Sequence, residues 1–223
     1  MKNFQKLIFI ALSLIVLFCI GCAKTNLEYS TQSVLSEYRK NLFVGKGSSF
    51  VATFTSGQRE KDYVMDGVCS SLVDFGVVTL KFDNYVLSSL PKFELKVNED
   101  VFAGELEHNP YDGSFVFDIE RQVEDGDILI LYLVDYDEYV NLDCWSNTWQ
   151  CDYKKAKEIF CDKYKAEIQQ NTEENVLKGE MYIKIVSDDK EFKNIYWYVL
   201  LVCQNGNMYS VLIDVNNCQI VQN

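Results

Sequence analysis

The chain has 223 residues, with 33 Asp or Glu against 21 Lys or Arg, giving a formal net charge of −12. That balance excludes a nucleic-acid partner, which requires a basic footprint. Plentiful Tyr, Phe, Val, Ile and Leu allow a sizeable core in one large domain or two small ones, with no internal repeat or low-complexity run.

Lys2 and Lys6 give a short positive leader, followed by an apolar run from Leu7 to Ile20 broken only by Ser13. A membrane-spanning helix needs roughly 20 such residues, so this run has the length of a signal-peptide core instead. Gly21 stands directly before Cys22. The stretch Phe18-Cys19-Ile20-Gly21-Cys22 resembles the lipobox of bacterial lipoproteins, with Cys19 where that family usually has Leu. The resemblance implies that residues 1–21 are a signal peptide. It also implies that the Cys22 thiol receives a diacylglyceryl group and becomes the mature N-terminus. The mature chain would then be a palmitate-bearing lipoprotein of the cell surface, held on the extracytoplasmic side of the membrane. Two acyl chains hold firmly, since each buried CH₂ contributes about 0.8 kcal/mol. An uncleaved anchor and a soluble secreted form are the alternatives. Loss of Lys2 and Lys6 takes the net charge from −12 to −14, so an anionic membrane surface would repel the body of the protein.

After the leader, residues 22–47 read as a tether and a helix. Leu27, Val34, Leu35, Tyr38 and Leu42 recur near helical spacing, which predicts a helix over 27–42. A strand-rich region follows over 48–142. Its candidate strands are 50–54, 75–82, 93–97, 101–106, 115–119 and 128–134, separated by turn signals such as Asn98-Glu99-Asp100 and Glu124-Asp125-Gly126-Asp127. Many short strands without an intervening helix predict an antiparallel β-sandwich-like domain. From Asp143 the pattern changes. Asp152 is a candidate N-cap for a helix over 152–170, whose apolar face is Ala156, Ile159, Phe160, Tyr164 and Ile168. Strands are predicted over 180–186, 195–203 and 208–215, the last two joined by a tight turn at Asn205-Gly206 in which both residues tolerate positive φ. The expected class is therefore α+β, with a sandwich-like region followed by a separate helix-plus-antiparallel-sheet unit over 143–223.

That last third resembles a PepSY-type domain. The resemblance is carried by Ala156-Lys157-Glu158-Ile159-Phe160 on the helix and by Tyr209 to Val221 in the final hairpin, where Asn217-Cys218 replaces the family's usual glycine turn. A cystatin-like sheet gives a similar pattern. PepSY modules are thought to contact or restrain peptidases, so the resemblance implies a protein partner, a peptidase among the candidates. The whole mature chain is similar to lipoproteins of low-GC bacteria, which supports the address and adds no chemistry.

Six cysteines remain besides Cys22: Cys69, Cys144, Cys151, Cys161, Cys203 and Cys218. Export permits disulfides, and Cys144 with Cys151 is the best candidate pair because the loop between them is short. No Cys-x-x-Cys occurs, so neither a thioredoxin-like site nor a zinc knuckle is indicated. Catalysis by His108, the only histidine, is not expected, because it sits beside Asn109-Pro110 in a polar turn. The carboxylate clusters Asp125-Gly126-Asp127 and Asp135-Tyr136-Asp137-Glu138 lack the spacing of a Ca²⁺ loop, and a loose Ca²⁺ site competes there with a solvated turn. No cofactor, metal or catalytic residue is assigned. Trp145 and Trp149, flanked by Cys144 and Cys151, and Trp197 in Tyr196-Trp197-Tyr198 are candidate interface residues. For Trp145 and Trp149, wedging between two subdomains is the favoured use over an interface. The reading is a membrane-anchored extracytoplasmic lipoprotein with a binding or scaffolding role. The alternative is an exported hydrolase with a spatially assembled carboxylate site.

Overall fold

The computed structural model describes residues 31, 34–62, 64–83, 89–187 and 193–221. The leader, Cys22, the tether and most of the first half of the helix expected over 27–42 lie outside the described residues.

The second half of that helix is a strand. β1 runs Leu35–Lys46, followed by β2 Phe50–Glu60, β3 Leu72–Phe82, β4 Lys92–Val97, β5 Asp100–Glu105, β6 Glu107–His108, β7 Phe115–Ile119, β8 Leu129–Leu133 and β9 Glu138–Cys144. Two helices come next, α1 Tyr153–Lys163 and α2 Lys165–Gln170. The chain then forms β10 Thr172–Glu173, β11 Val176–Leu177, β12 Gly179–Ser187, β13 Ile195–Cys203, β14 Met208–Asp214 and β15 Ile220–Val221.

The expected α+β class is overturned. The protein is mostly antiparallel β, with a nearly closed, barrel-like sheet. Among the described residues, 13 strands belong to one sheet running β15-β14-β13-β12-β1-β2-β3-β7-β6, and β9-β8-β4-β5 branches from β1. The strands after α1 are therefore not a separate small sheet. β12 joins β1 in parallel, Leu35 opposite Met181 and Tyr38 opposite Ile183. Further along, Phe43 and Val44 of β1 pair with Cys144 and Asp143 of β9. One strand thus carries β12 on its first half and β9 on its second, with β2 along the other edge.

This explains the misread helix. An amphipathic strand alternates because one face is wet, but β1 is buried on both faces over most of its length. Phe43 points into the barrel core with Phe54, Phe93, Leu95, Phe115 and Leu131. Its neighbours Leu42 and Val44 point into a second core with Trp197, Ile183, Leu201 and Phe160. Burial on both sides erases the period-two signal, and the apolar spacing that remains mimics a helix.

Inside the elements the local chemistry follows expectation more closely. The Asp152 side chain accepts from the Lys155 amide at 2.7 Å and caps α1, and Ala156, Phe160 and Ile168 face the second core. No helix among the described residues is long and apolar enough to cross a membrane.

Candidate ligand-binding groove

β1 bulges at Lys40: Arg39 pairs with Gly57 and Asn41 with Ser56, so one extra residue stands between them. Gly57 permits this, since a Cβ there would lie 1.9 Å from the Tyr38 carbonyl oxygen. Beside the bulge, the buried Asn41 amide donates to the Val123 carbonyl at 2.5 Å. Ser56 Oγ donates to Asn41 Oδ1 at 2.9 Å and accepts from the Val123 amide at 3.0 Å. These bonds pin the β7–β8 connection to the barrel with Val123 fully buried, and they leave Glu124 and Asp125 at its rim.

The opposite wall is the connection from β9 to α1. The Trp145 amide donates to the Leu42 carbonyl at 2.9 Å, and Ser146 Oγ accepts from the Leu42 amide at 3.2 Å. This segment carries Trp149, Asp152 and Tyr153 to the bulge. Tyr38 and Tyr153 stack with centroids 4.7 Å apart and 14° between planes. The result is an open groove of about 360 Å³, walled by Tyr38, Trp149 and Tyr153 and rimmed by Glu124, Asp125 and Asp152. Lys40 pairs with Glu124, and the Lys154 ammonium lies 5.9 Å from the Tyr153 ring centroid. Burial, reinforced by Tyr153, pushes the Tyr38 hydroxyl up to about 12, so it stays a donor and gives its proton to Gln58 Oε1 at 2.9 Å.

The residues singled out in the sequence are distributed as follows. Trp197 is fully buried, and its indole N–H donates to the Cys151 carbonyl at 2.8 Å. It is therefore a core residue and not an interface anchor. Trp149 meets it edge-on, centroids 5.4 Å apart, and both Trp149 and Trp145 are half-buried against the second core. Of the two, Trp149 also lines the groove.

Cys144 and Cys151 are not joined; both are free thiols. Cys144 Sγ lies 3.2 Å from Ser146 Oγ and 3.7 Å from Asp125 Oδ1. The Cys151 amide donates to the Val215 carbonyl at 3.0 Å, which sets its thiol beside that of Cys218. Burial and that second thiol push Cys151 up to about 12.

His108 is exposed on β6 and lies against Phe115, centroids 5.2 Å apart. Apart from Asp125 at the groove rim, carboxylates of the two acidic clusters hold turns and connections. Asp127 accepts from the Asn98 side chain at 2.7 Å and from the Glu124 amide at 2.9 Å, and these bonds hold its carboxyl below the usual range. Asp135 accepts from the Lys92 amide at 2.9 Å, and Glu138 from Ser48 at 2.7 and 2.8 Å. Among the described residues no group of three His, Cys, Asp or Glu is placed to hold a metal ion.

Sequence reasoning missed Tyr38 and Tyr153 as a pair. Tyr38 falls on the apolar face of the expected helix, and Tyr153 follows the Asp152 cap with no pattern of its own; they meet beside the β1 bulge. Comparison with protein-family models, curated proteins and solved structures finds no match.

Proposed function

We propose that the chain is an exported, lipid-tethered binding protein whose groove receives a peptide segment bearing basic side chains. The observation that carries this reading is the aromatic wall of Tyr38, Trp149 and Tyr153 set beside Glu124, Asp125 and Asp152 in an open groove, three carboxylates against the two lining ammonium groups of Lys40 and Lys154. Aromatic faces and carboxylates together favour ammonium and guanidinium groups, and the acidic body would steer such a partner toward the surface. The rival hydrolase reading requires two carboxylates directed into a shared space. Here Glu124 is tied to Lys40, Asp152 caps α1, and Asp125 receives the Cys144 thiol, which favours binding over catalysis.

The test is a titration of tryptophan emission with Lys- and Arg-rich peptides, set against a Glu-rich one. The expected result is a saturable, salt-sensitive response to the basic peptides, weakened by Tyr153→Ala and by Asp125→Asn. No response, or an equal response to the acidic peptide, overturns the reading. Anchoring is tested separately: Cys22→Ala should abolish fatty-acid labelling, and labelling that persists rejects Cys22 as the lipid site.

A further inference from the structure

The pairings of β1, β2, β12 and β13 bring one set of loops to one end of the sheet. β1 starts there at Leu35, opposite Met181, and β12 starts there at Gly179, opposite Cys203. β2 arrives there with Glu37 of β1 opposite Arg59. The β2–β3 connection, the β10–β11 hairpin and the β13–β14 hairpin therefore share this end with the point where the chain first joins the sheet.

They also touch one another. Gln204 Nε2 donates to the Gly67 carbonyl at 3.2 Å, the Gln204 amide to the Lys178 carbonyl at 3.2 Å, and Asn205 Nδ2 to Asn171 Oδ1 at 2.8 Å. Below them the Gly67 amide donates to the buried Glu180 carboxylate, which the Tyr182 hydroxyl and Ser36 also hold. The β2–β3 connection is thus fixed over the sheet end by buried hydrogen bonds.

Six exposed apolar side chains lie on these loops and the adjoining strand starts: Val64 55%, Met65 54%, Val68 58%, Val73 37%, Val176 48% and Met208 65%. Among the described residues, the other large exposed apolar side chains fall between Leu90 and Tyr139. A soluble surface does not ordinarily gather so many on adjoining loops. What covers them follows from the chain outside the described residues. If Cys22 carries the lipid, the nine peptide steps from Cys22 to the buried Thr31 span at most about 30 Å. That keeps Thr31, four residues before β1, within about 30 Å of the bilayer, which favours this end as the one that faces it.

Resting on the lipidation of Cys22, we infer that Val64, Met65, Val68, Val73, Val176 and Met208 form a membrane-contact surface that inserts into the headgroup region beside the lipid anchor. Insertion is apolar and not electrostatic. Carboxylates at this end (Asp62, Asp66, Glu173, Glu174) outnumber the ammonium groups of Lys61 and Lys178, so the surface suits a zwitterionic bilayer better than an anionic one. The protein then stands upright on the membrane, with the far end of the barrel turned outward.

The experiment uses the full lipidated chain in phosphatidylcholine vesicles with bromine-labelled acyl chains. Val68→Trp places a reporter on the proposed surface. Tyr136→Trp places one beside Phe50 and Phe82 at the opposite end of β2, about 30 Å away. The expected result is flotation of both variants with the vesicles and a loss of the added emission for Val68→Trp alone. The loss should shrink when Val64→Asp and Met65→Asp are added, and when anionic lipid replaces phosphatidylcholine. Flotation without quenching at Val68→Trp, as a protein partner on this surface would give, overturns the membrane contact and leaves the lipid anchor standing. Equal quenching of both reporters overturns it too. Failure to float overturns both the anchor and the contact surface.

Discussion

Tyr38 and Tyr153 stack ring to ring in the wall of the groove, one beside the β1 bulge and the other just inside the cap of α1. Each belongs to a segment fixed from behind, Tyr38 by the β1–β2 ladder and Tyr153 by the Asp152 cap. The stack is one of the contacts by which the helical segment meets the sheet, beside those of Ala156 and Phe160 in the second core.

Tyr153→Ala should therefore destabilise the protein by about 1 kcal/mol, the usual worth of an aromatic pair beyond its buried area. Tyr153→Phe should keep the stack and most of that stability. Urea midpoints decide it, and a Tyr153→Phe variant as weak as Tyr153→Ala would show that the hydroxyl matters more than the ring.

The burial of Trp197 makes a second prediction. Trp197→Ala removes the largest fully buried side chain, its bond to the Cys151 carbonyl and the edge contact with Trp149. The cost should be about 3–5 kcal/mol, in the range for deleting a buried aromatic. A surface anchor would cost almost nothing, so denaturant unfolding separates the two roles.

The β13–β14 turn differs in detail from the tight two-residue form. The Gly206 amide donates to the Cys203 carbonyl at 2.9 Å, the Cys203 amide to Asn207 at 2.8 Å, and only Gly206 has positive φ, at 85°. The strain thus rests on one residue. Gly206→Val should cost about 1 kcal/mol or more and lower the thermal midpoint by about 2–4 °C. Gly206→Asn should be milder, because Asn tolerates the left-handed region. Midpoints unchanged by Gly206→Val would mean the loop relaxes freely.

Thiol placement sets a fourth expectation. Oxidised glutathione should drive Cys151 to pair with Cys218 and not with Cys144, because Cys218 is the thiol beside it, while Cys144 is directed at Ser146 and Asp125. Peptide mapping without reduction reads the pairing directly, and a Cys144–Cys151 peptide would reject this placement.

Stability should also fall in alkali. Burial pushes Tyr38 from 10.0 to about 12 and the Cys69 and Cys161 thiols from 9.0 to about 11. Unfolded, these groups release their protons at lower pH than they do in the fold. The native state therefore holds more protons across this interval, and stability declines as pH rises through it. The effect should be absent below about pH 9 and complete near pH 12. Urea midpoints under reducing conditions check the profile, and a level curve through this window would contradict it.

The legible portions of the fold were those with one wet face. Phe93 to Val97 alternates in sequence and in burial alike, and the apolar run from Ile195 to Cys203 coincides with the bounds of β13. β1 was misread because two cores claim it, and no local pattern reports a strand that is apolar on both sides. Asp143 marked a change in composition, yet it lies within β9, paired with Val44. The division between two units missed the parallel pairing of β1 with β12, which spans some 145 residues of sequence and leaves no short-range trace. Of the groove, the Asp152 cap and Trp149 were visible. The partnership of Tyr38 with Tyr153 depends on a bulge that a sequence does not announce.

The shared strand has a consequence for how the protein comes apart. Neighbouring residues of β1 alternate between the two cores, Leu42 and Val44 in one and Phe43 in the other. Peeling β1 away to melt either core strips the other of its wall in the same step. Heat or denaturant should meet a single cooperative transition, and no cut in the chain should yield a half that folds alone.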